Sequence, residues 1–300
     1  MQNVTNNRQY LAAVSGGPDS MAMLDIFKKN IKIVCHVNYH KRDSAKRDET
    51  IVMQFCKHYN IIFEKLDATK KLLAQYDSNN FQTCARMLRY DFFNKIAKKY
   101  KINHLFVAHN KDDFVETAMM QKARRSMTLF FGILPSQTWK DLIIERPLLS
   151  KRKKDLLTYC DRKHIPYGID ETNFDDHYTR NALRKEITKW TDKKFNAKFL
   201  EFKKHNVAHT KLRNTIDRAY HKWREGRWDV KLFQRRNHQL QIYILYRFLV
   251  DNNIHKISSA KIKLIQQFLL CANKRGTLRM GRQQILMKDK GYICLKKKLV

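Results

Sequence analysis

Short apolar runs rich in β-branched residues alternate with longer stretches of helical spacing over the first half of the chain. The predicted strands are Tyr10–Val14, Ile31–Val37, Ile61–Leu66 and Leu105–Ala108, with a fifth at Leu142–Ile144. The predicted helices are Ser20–Asn30, Lys46–Tyr59, Thr83–Tyr100 and Val115–Arg125. Strands that alternate with helices form parallel sheets covered on both faces. The pattern therefore predicts an α/β fold with a doubly wound parallel sheet.

The pattern changes after Pro147. A helical stretch at Lys151–His164 is followed by a polar segment from Asp170 to Arg184, and then by Trp190. We therefore expect a first domain at 1–190 and a smaller, mainly helical domain at 191–300. Three short strands, Thr277–Met280, Gln284–Lys288 and Tyr292–Lys296, are predicted to form a meander with turns at Gly281–Arg282 and Lys290–Gly291.

The charge is unusually positive, with 61 Lys and Arg against 28 Asp and Glu, a net charge of +33. Residues 201–300 alone carry 24 basic and 6 acidic side chains. An acidic partner would relieve this self-repulsion, and a nucleic acid is the leading candidate. Compositional drift in an AT-rich genome is the alternative, but drift does not explain why the charge is concentrated at one end.

Cysteine spacing and hydropathy indicate the compartment. The six cysteines occur singly, with no C-x-x-C pair that would suggest a zinc or redox site. Met1–Tyr10 lacks an apolar signal region, and no apolar run approaches the roughly 18 residues of a membrane span. We interpret the chain as a cytoplasmic protein without membrane association, with reduced cysteines that serve packing.

A candidate phosphate-binding loop follows the first strand: Ser15, Gly16, Gly17, Pro18, Asp19 and Ser20. Glycines let backbone N–H groups approach an anion, hydroxyls donate hydrogen bonds, and the N-terminus of the next helix adds a positive dipole end. The loop lacks the G-K-[ST] of the Walker motif. An ordinary Ser-Gly turn before a helix is the alternative reading.

Three carboxylates lie within five residues after the fourth strand, namely Asp112, Asp113 and Glu116. Asp113 and Glu116 share one helix face at i, i+3 and could bind the ammonium group of an amino acid. The same spacing fits a capping box, so a structural role is equally open.

Ligands of parallel sheets bind in a crevice beyond the carboxyl ends of the strands, so we expect the loops after Val14, Val37 and Ala108 to face a common crevice. Other polar residues could contribute to this site. Arg86 and Arg89 share a helix face and could bind phosphate or a developing negative charge, although a solvated face is the alternative. His36 and His109 lie at predicted strand ends, where nucleotide contacts or structural roles are both open. Further along, Arg180, Asn181 and Arg184 could contact an RNA backbone or simply begin an exposed helix.

The loop Ser15–Ser20 resembles the SGGxDS signature of PP-loop ATP pyrophosphatases. Four further segments resemble the tRNA(Ile)-lysidine synthetase family, in the short form found in reduced-genome bacteria. The matching segments are Cys35–Arg42 (HVNHxLR), Ala85–Tyr90 (ARxxRY), Ala108–Thr117 (AHHxDDxxET), and Arg146–Leu149 (RPLL) with Asp170–Asn173 and Tyr178–Arg184 (D-x-S/T-N…RNxxR).

This resemblance implies a PP-loop fold of the adenine nucleotide α hydrolase-like type, with ATP and Mg²⁺ as cofactors. ATP would adenylate the C2 oxygen of the wobble cytidine in a CAU-anticodon tRNA(Ile), and the ε-amine of free L-lysine would displace AMP. Asp19, Asp113 and Arg86 would be catalytic, and Asp19 would hold the metal. The sequence does not give the oligomeric state, and a homodimer is compatible with it.

The chain departs from the family pattern in several places. Tyr39 and Asn110 replace histidines, Gln82 replaces a glutamate, and Arg125 and Met127 replace two glycines of an RGSG loop. These changes put the loop geometry in question more than the chemistry. Two rival hypotheses are a PP-loop tRNA modifier that installs sulfur and a non-catalytic RNA-binding protein on the same scaffold.

Overall fold

The computed structural model describes residues 8–40, 44–76, 80–124, 128–169, 178–252, 254, 257–280 and 284–297, and for 178–181 and 297 the backbone alone. The chain divides into two compact units, Met1–Asn206 and Val207–Val300. Asp170–Asn173, the turn at Gly281–Arg282 and the Arg125–Met127 departure lie outside the described residues.

A six-stranded sheet with the order β3-β2-β1-β4-β6-β5 forms the centre of the first unit. Its strands are β1 (Tyr10–Ala13), β2 (Ile31–Asn38), β3 (Ile62–Asp67), β4 (His104–Val107), β5 (Ser136–Trp139) and β6 (Leu142–Glu145). All neighbouring pairs are parallel except β5 with β6. The five predicted strands and their parallel pairing are confirmed. The edge strand β5 is additional; its sequence, SQTW, lacks an apolar run because the strand pairs on one side only.

Helices cover both faces of this sheet. The helices that begin in the first unit are α1 (Pro18–Phe27), α2 (Ser44–His58), α3 (Lys70–Leu73), α4 (Phe81–Tyr100), α5 (Lys111–Ala123), α6 (Lys153–Arg162), α7 (Tyr178–Thr188) and α8 (Asp192–Ala208). Tyr10 and Ala12 of β1 pack with α1, α2 and α6, whereas Leu11 packs with α4. This alternation is the period of two expected of a strand buried on both faces, and it confirms the doubly wound class.

The helix α8 packs with the first unit. Phe195 and Phe202 are buried in one cluster with Phe114 and Val115 of α5 and with Ile187 of α7. We propose that the catalytic domain therefore extends through this helix, beyond the boundary near 190 that the sequence suggested.

The second unit is mainly helical, as predicted, and ends in a small antiparallel sheet. Its elements are α9 (Thr210–Glu225), α10 (Val230–Gln234), α11 (His238–Asp251), α12 (Ser259–Leu270), β7 (Gly276–Arg279), β8 (Gln284–Asp289) and β9 (Tyr292–Lys297). The predicted turn at Lys290–Gly291 joins β8 to β9 with φ values of 49° and 87°. Positive φ at both central residues matches the strand twist of a tight hairpin. Ile216, Tyr220 and Trp223 carry the apolar face of α9 into the core.

Among the described residues, no helix combines the length and apolarity that crossing a membrane requires.

Candidate active site

The turn between β1 and α1 lies at the carboxyl edge of the sheet, where the strand order changes direction between β1 and β4. Gly16 has φ +93°, and a Cβ there would lie 2.8 Å from Cβ of Asp48. Gly17 is the N-cap of α1, and Pro18 begins the helix. Position 16 therefore requires glycine, because its φ is positive and because a larger residue would clash with α2.

Two serines organise the loop. Ser20 is buried, donates to the carbonyl oxygen of Gly17 at 2.9 Å and accepts from the Ser15 N–H at 3.3 Å. The Ser15 hydroxyl lies 3.2 Å from that of Ser20 and is exposed. Ser20 therefore shapes the turn, while Ser15 is accessible to a ligand beside the helix N-terminus.

A second layer supports the loop. Arg47 donates to Asp48 from Nε and Nη2 at 3.1 and 3.0 Å, and to the carbonyl of Ile169 at 3.1 Å. The Gly168 N–H donates to the carbonyl of Gly16 at 2.8 Å. No role for Arg47, Asp48 or Gly168 is predicted from the sequence. The pairing across more than 100 residues leaves no local signal.

Asp19 lies in the first turn of α1. Burial raises the pKa of its carboxyl group to about 6; Lys153 and a hydrogen bond from Asn110 lower it, whereas Asp113 and Asp112 raise it. Its buried Oδ1 has no hydrogen-bond partner among the described residues. A carboxylate oxygen in this situation fits a cation.

The described residues contain no cluster of three His, Cys, Asp or Glu side chains that could hold a metal ion. Magnesium commonly takes one or two carboxylates and completes its shell with water and substrate phosphates. Asp19 beside the phosphate loop therefore fits Mg²⁺ bound together with ATP, and does not fit a cage built from protein ligands alone.

The three neighbouring carboxylates have different partners. Asp113 forms a capping box with Asn110, with both hydrogen bonds at 2.9 Å. Asp112 accepts from Arg152 Nε at 3.0 Å and from the Lys153 N–H at 2.8 Å. The Asn110 departure thus supplies the N-cap of α5. The box joins Asn110 to Asp113, whereas the sequence had suggested Asp113 with Glu116.

Glu116 is buried and accepts from Arg184 Nε at 2.8 Å. These two residues, both predicted from the sequence to contact substrates, therefore form an ion pair between α5 and α7. The side chains of Arg180 and Asn181 lie outside the described part of the structure.

Both predicted histidines lie at the carboxyl edge of the sheet and have structural partners. His36 is buried with Nδ1 2.9 Å from the Val14 carbonyl, so Nδ1 donates, and burial lowers the pKa of this imidazole. His109 Nδ1 instead accepts from Arg146 Nε at 3.0 Å. Arg146 was noted in sequence only as part of the RPLL segment.

The predicted arginine face on α4 is exposed. The Arg86 guanidinium lies 4.9 Å from the Tyr90 ring centroid, and Arg89 is also exposed. Tyr39, another departure, donates its hydroxyl to the Ala85 carbonyl at 3.0 Å, and burial raises its pKa to about 12. Tyr39 therefore anchors the helix that carries these arginines. The Gln82 departure is exposed in the first turn of α4.

A parallel sheet whose first strand runs into this glycine-serine loop defines the PP-loop class of nucleotide-binding proteins. The PP-loop domain family model ATP_bind_3 matches residues 1–191. The tRNA(Ile)-lysidine synthase of Ureaplasma parvum is 47% identical over 284 residues, 93% of this chain and 84% of that protein. That of Malacoplasma penetrans is 38% identical over 97% of both chains. The chain belongs to the tRNA(Ile)-lysidine synthase family.

A solved structure supports the fold. The U34-tRNA thiolase NcsA from Methanococcus maripaludis, with its [4Fe-4S] cluster, superposes with a TM-score of 0.55 at 18% identity. The match covers 69% of this chain and 72% of that one. At this identity the likeness shows the architecture of the PP-loop unit alone.

Proposed function

We propose that this enzyme uses ATP to adenylate the C2 oxygen of the wobble cytidine in a CAU-anticodon tRNA(Ile), and then joins free L-lysine through its ε-amine to form lysidine. The observation that carries the proposal is the phosphate loop with the unsatisfied, buried Asp19 oxygen beside it. Membership of the lysidine synthase family supports it.

The loop residues Ser15 to Ser20 bind the ATP phosphates through backbone N–H groups, the Ser15 hydroxyl and the N-terminus of α1. Asp19 would hold Mg²⁺, and the ion would supply positive charge at the ATP phosphates. Arg86 and Arg89 stabilise negative charge on the transferred adenylate from the exposed face of α4. His36 and His109 border the nucleotide site from β2 and β4.

The attacking amine has an ordinary pKa near 10.4, so it must lose a proton before it attacks. We assign lysine binding to Asp113, with Asp112 and Glu116 beside it. Arg152 and Arg184 already compensate the charges of Asp112 and Glu116. Asp113 is close enough to the phosphate loop for its charge to raise the pKa of Asp19. Arg180, Asn181 and Arg184 are assigned to the tRNA backbone.

The basic 201–300 region is proposed to bind tRNA, since neutralising phosphates releases counterions and favours association. We also propose a cytoplasmic location, where ATP, lysine and tRNA are all available. Self-association as a homodimer is part of the proposal, and light scattering tests it directly.

Sulfur transfer is the rival reaction. It requires a reactive thiolate, and burial raises the pKa of Cys56 to about 12 and of Cys160 to about 11, and also raises that of Cys35. Thiols in such environments are poor nucleophiles. These three cysteines are therefore better suited to packing.

The test is incubation of the full-length enzyme with ATP, Mg²⁺, radiolabelled lysine and a tRNA(Ile) transcript. We expect label to enter the transcript with a cytidine at the wobble position and not one with uridine there. Asp19→Asn should abolish both label transfer and ATP–pyrophosphate exchange, whereas Asp141→Asn, an exposed control, should retain them. RNA binding without exchange or labelling would favour the non-catalytic rival.

A further inference from the structure

Arg146, at the carboxyl end of β6, is a buried arginine surrounded by neutral acceptors. It is 3% exposed. Its Nε–H donates to His109 Nδ1 at 3.0 Å, its Nη1 donates to the Leu134 carbonyl at 2.8 Å, and its backbone N–H donates to the Pro135 carbonyl at 2.9 Å. No carboxylate of the described residues pairs with it.

This environment is unfavourable for the cation. Burial lowers the pKa of Arg146, Tyr90 raises it, and the neighbouring Arg86 lowers it further. Arginine nevertheless stays protonated in proteins. A buried charge without a counterion destabilises the fold relative to an apolar side chain of similar volume. A role outside stability is therefore the better explanation of this residue.

The contact with His109 indicates that role. A guanidinium has only donors, so His109 Nδ1 must offer a lone pair and the ring proton of the neutral form must reside on Nε2. A proton on Nδ1 would break this hydrogen bond and place two cations 3.0 Å apart. The other histidine at this edge of the sheet, His36, is held in the opposite tautomer because its Nδ1 donates to a carbonyl.

We propose that Arg146 is a positioning residue that holds His109 as the neutral Nε2–H tautomer, so that the crevice contains a fixed hydrogen-bond donor. His109 follows β4, which pairs with both β1, the strand before the phosphate loop, and β6. Under the proposed function, this donor meets an oxygen or ring-nitrogen acceptor of a nucleotide substrate. His109 then orients substrate without transferring a proton.

Nitrogen NMR of the full-length protein with ¹⁵N-labelled histidine tests the tautomer without any reaction. In the wild type we expect His109 Nδ1 to resonate as an unprotonated nitrogen and Nε2 as a protonated one, with His109→Gln providing the assignment. In Arg146→Met the two His109 signals should move toward values averaged over both tautomers. The His36 signals should stay unchanged, which makes them an internal control for folding.

Kinetics supply the second readout. If His109 must be oriented for reaction, Arg146→Met should lower kcat by roughly 10- to 100-fold, with substrate KM values changing much less. Arg146→Lys, which keeps a donor, should recover part of the loss. A protonated His109 Nδ1 in the wild type, or a His109 spectrum unchanged in Arg146→Met, would overturn the proposal. Neither result depends on which base or amino acid the enzyme uses.

Discussion

Asp19 is proposed to bind Mg²⁺, but burial of its charged carboxylate makes the folded protein less stable. Its pKa is raised to about 6, chiefly by burial, so the folded protein binds a proton that the unfolded chain releases near pH 4. Stability contributed by this group is therefore present at low pH and is lost as pH rises between about 4 and 6. A bound cation would favour the charged form and offset the loss.

Asp19→Asn should therefore be more stable than the wild type at neutral pH when ATP and Mg²⁺ are absent. The difference in melting temperature should be small near pH 4, should grow up to about pH 6 and should then level off, because asparagine has no charge to desolvate. Melting curves across this range measure it. A difference in melting temperature that does not change with pH would refute the burial argument. The control is Asp141→Asn: the Asp141 side chain is 65% exposed, so its difference from the wild type should not change with pH.

The candidate residues could be found in the sequence, but their partners could not. The SGGxDS loop, the three carboxylates and both histidines lie where strand ends were predicted. Arg152 with Asp112, Arg146 with His109 and Gly168 with Gly16 are joined across 37 to 152 positions. Such contacts depend on how helices pack on the sheet, and no local pattern encodes them.

Among the elements, α6 is tied to the active-site helix α5 through Asp112. This carboxylate accepts from Arg152 and from the Lys153 N–H, so it caps the first turn of α6. The Arg152 guanidinium also lies 3.4 Å from the Phe195 ring centroid of α8. Arg152, the N-cap residue of α6, thus connects α6 to both α5 and α8.

Asp112→Ala should destabilise the first unit by about 1–2 kcal/mol, the range for losing charge-assisted hydrogen bonds in a partly exposed pair. Urea unfolding measures this as a lower midpoint. Asp192→Ala is the matched control, because Asp192 contacts the same arginine at 3.1 Å but is 60% exposed, and its loss should change the midpoint little. An unchanged midpoint together with a raised lysine KM would instead support direct substrate binding by Asp112.

Gly168, in the segment after α6, contacts the phosphate loop through its backbone N–H, which donates to the Gly16 carbonyl. A Cβ on Gly168 would lie 1.8 Å from Oδ1 of Asp48, and Asp48 itself lies against Gly16. Gly168→Ala should therefore displace Asp48 and the loop, and reduce ATP-dependent activity by roughly 10- to 100-fold, as sub-ångström to ångström misplacements do. ATP–pyrophosphate exchange measures it. Gly276→Ala, in the second unit, is the control. Equal losses of exchange activity in both variants would argue against a specific role of Gly168 in supporting the phosphate loop.

Element boundaries were predictable where local chemistry fixes them. The turn at Lys290–Gly291 was found because glycine accepts positive φ. The sequence predicts the start of α5 at Val115, whereas the helix begins at Lys111. The capping box that begins it uses Asn110, which departs from the family motif, so the start was not recognised. The strand β5 was missed because an edge strand needs no apolar run.

At the scale of the whole molecule, charge is the dominant feature, and the second unit carries more of it than its length explains. On α9, Lys211, Arg218 and Lys222 are spaced at i, i+7 and i+11, so they lie on one exposed face opposite Ile216 and Trp223. A cationic helix face of this kind suits a phosphate backbone.

Replacing Lys211, Arg218 and Lys222 together with glutamine should weaken tRNA binding and flatten its salt dependence. Each lost phosphate contact should reduce the slope of log Kd against log salt concentration by roughly 0.7–0.9. The control replaces Lys29, Lys57 and Lys101, which are exposed and follow α1, end α2 and follow α4, at the edge of the sheet opposite the phosphate loop. Both variants lose the same charge, so general attraction predicts equal effects. Filter binding at several salt concentrations distinguishes a contact surface on α9 from general attraction. A flatter slope in the α9 variant alone would identify α9 as a contact surface. Equal slopes in the two variants would show that net charge, and not α9, governs the interaction.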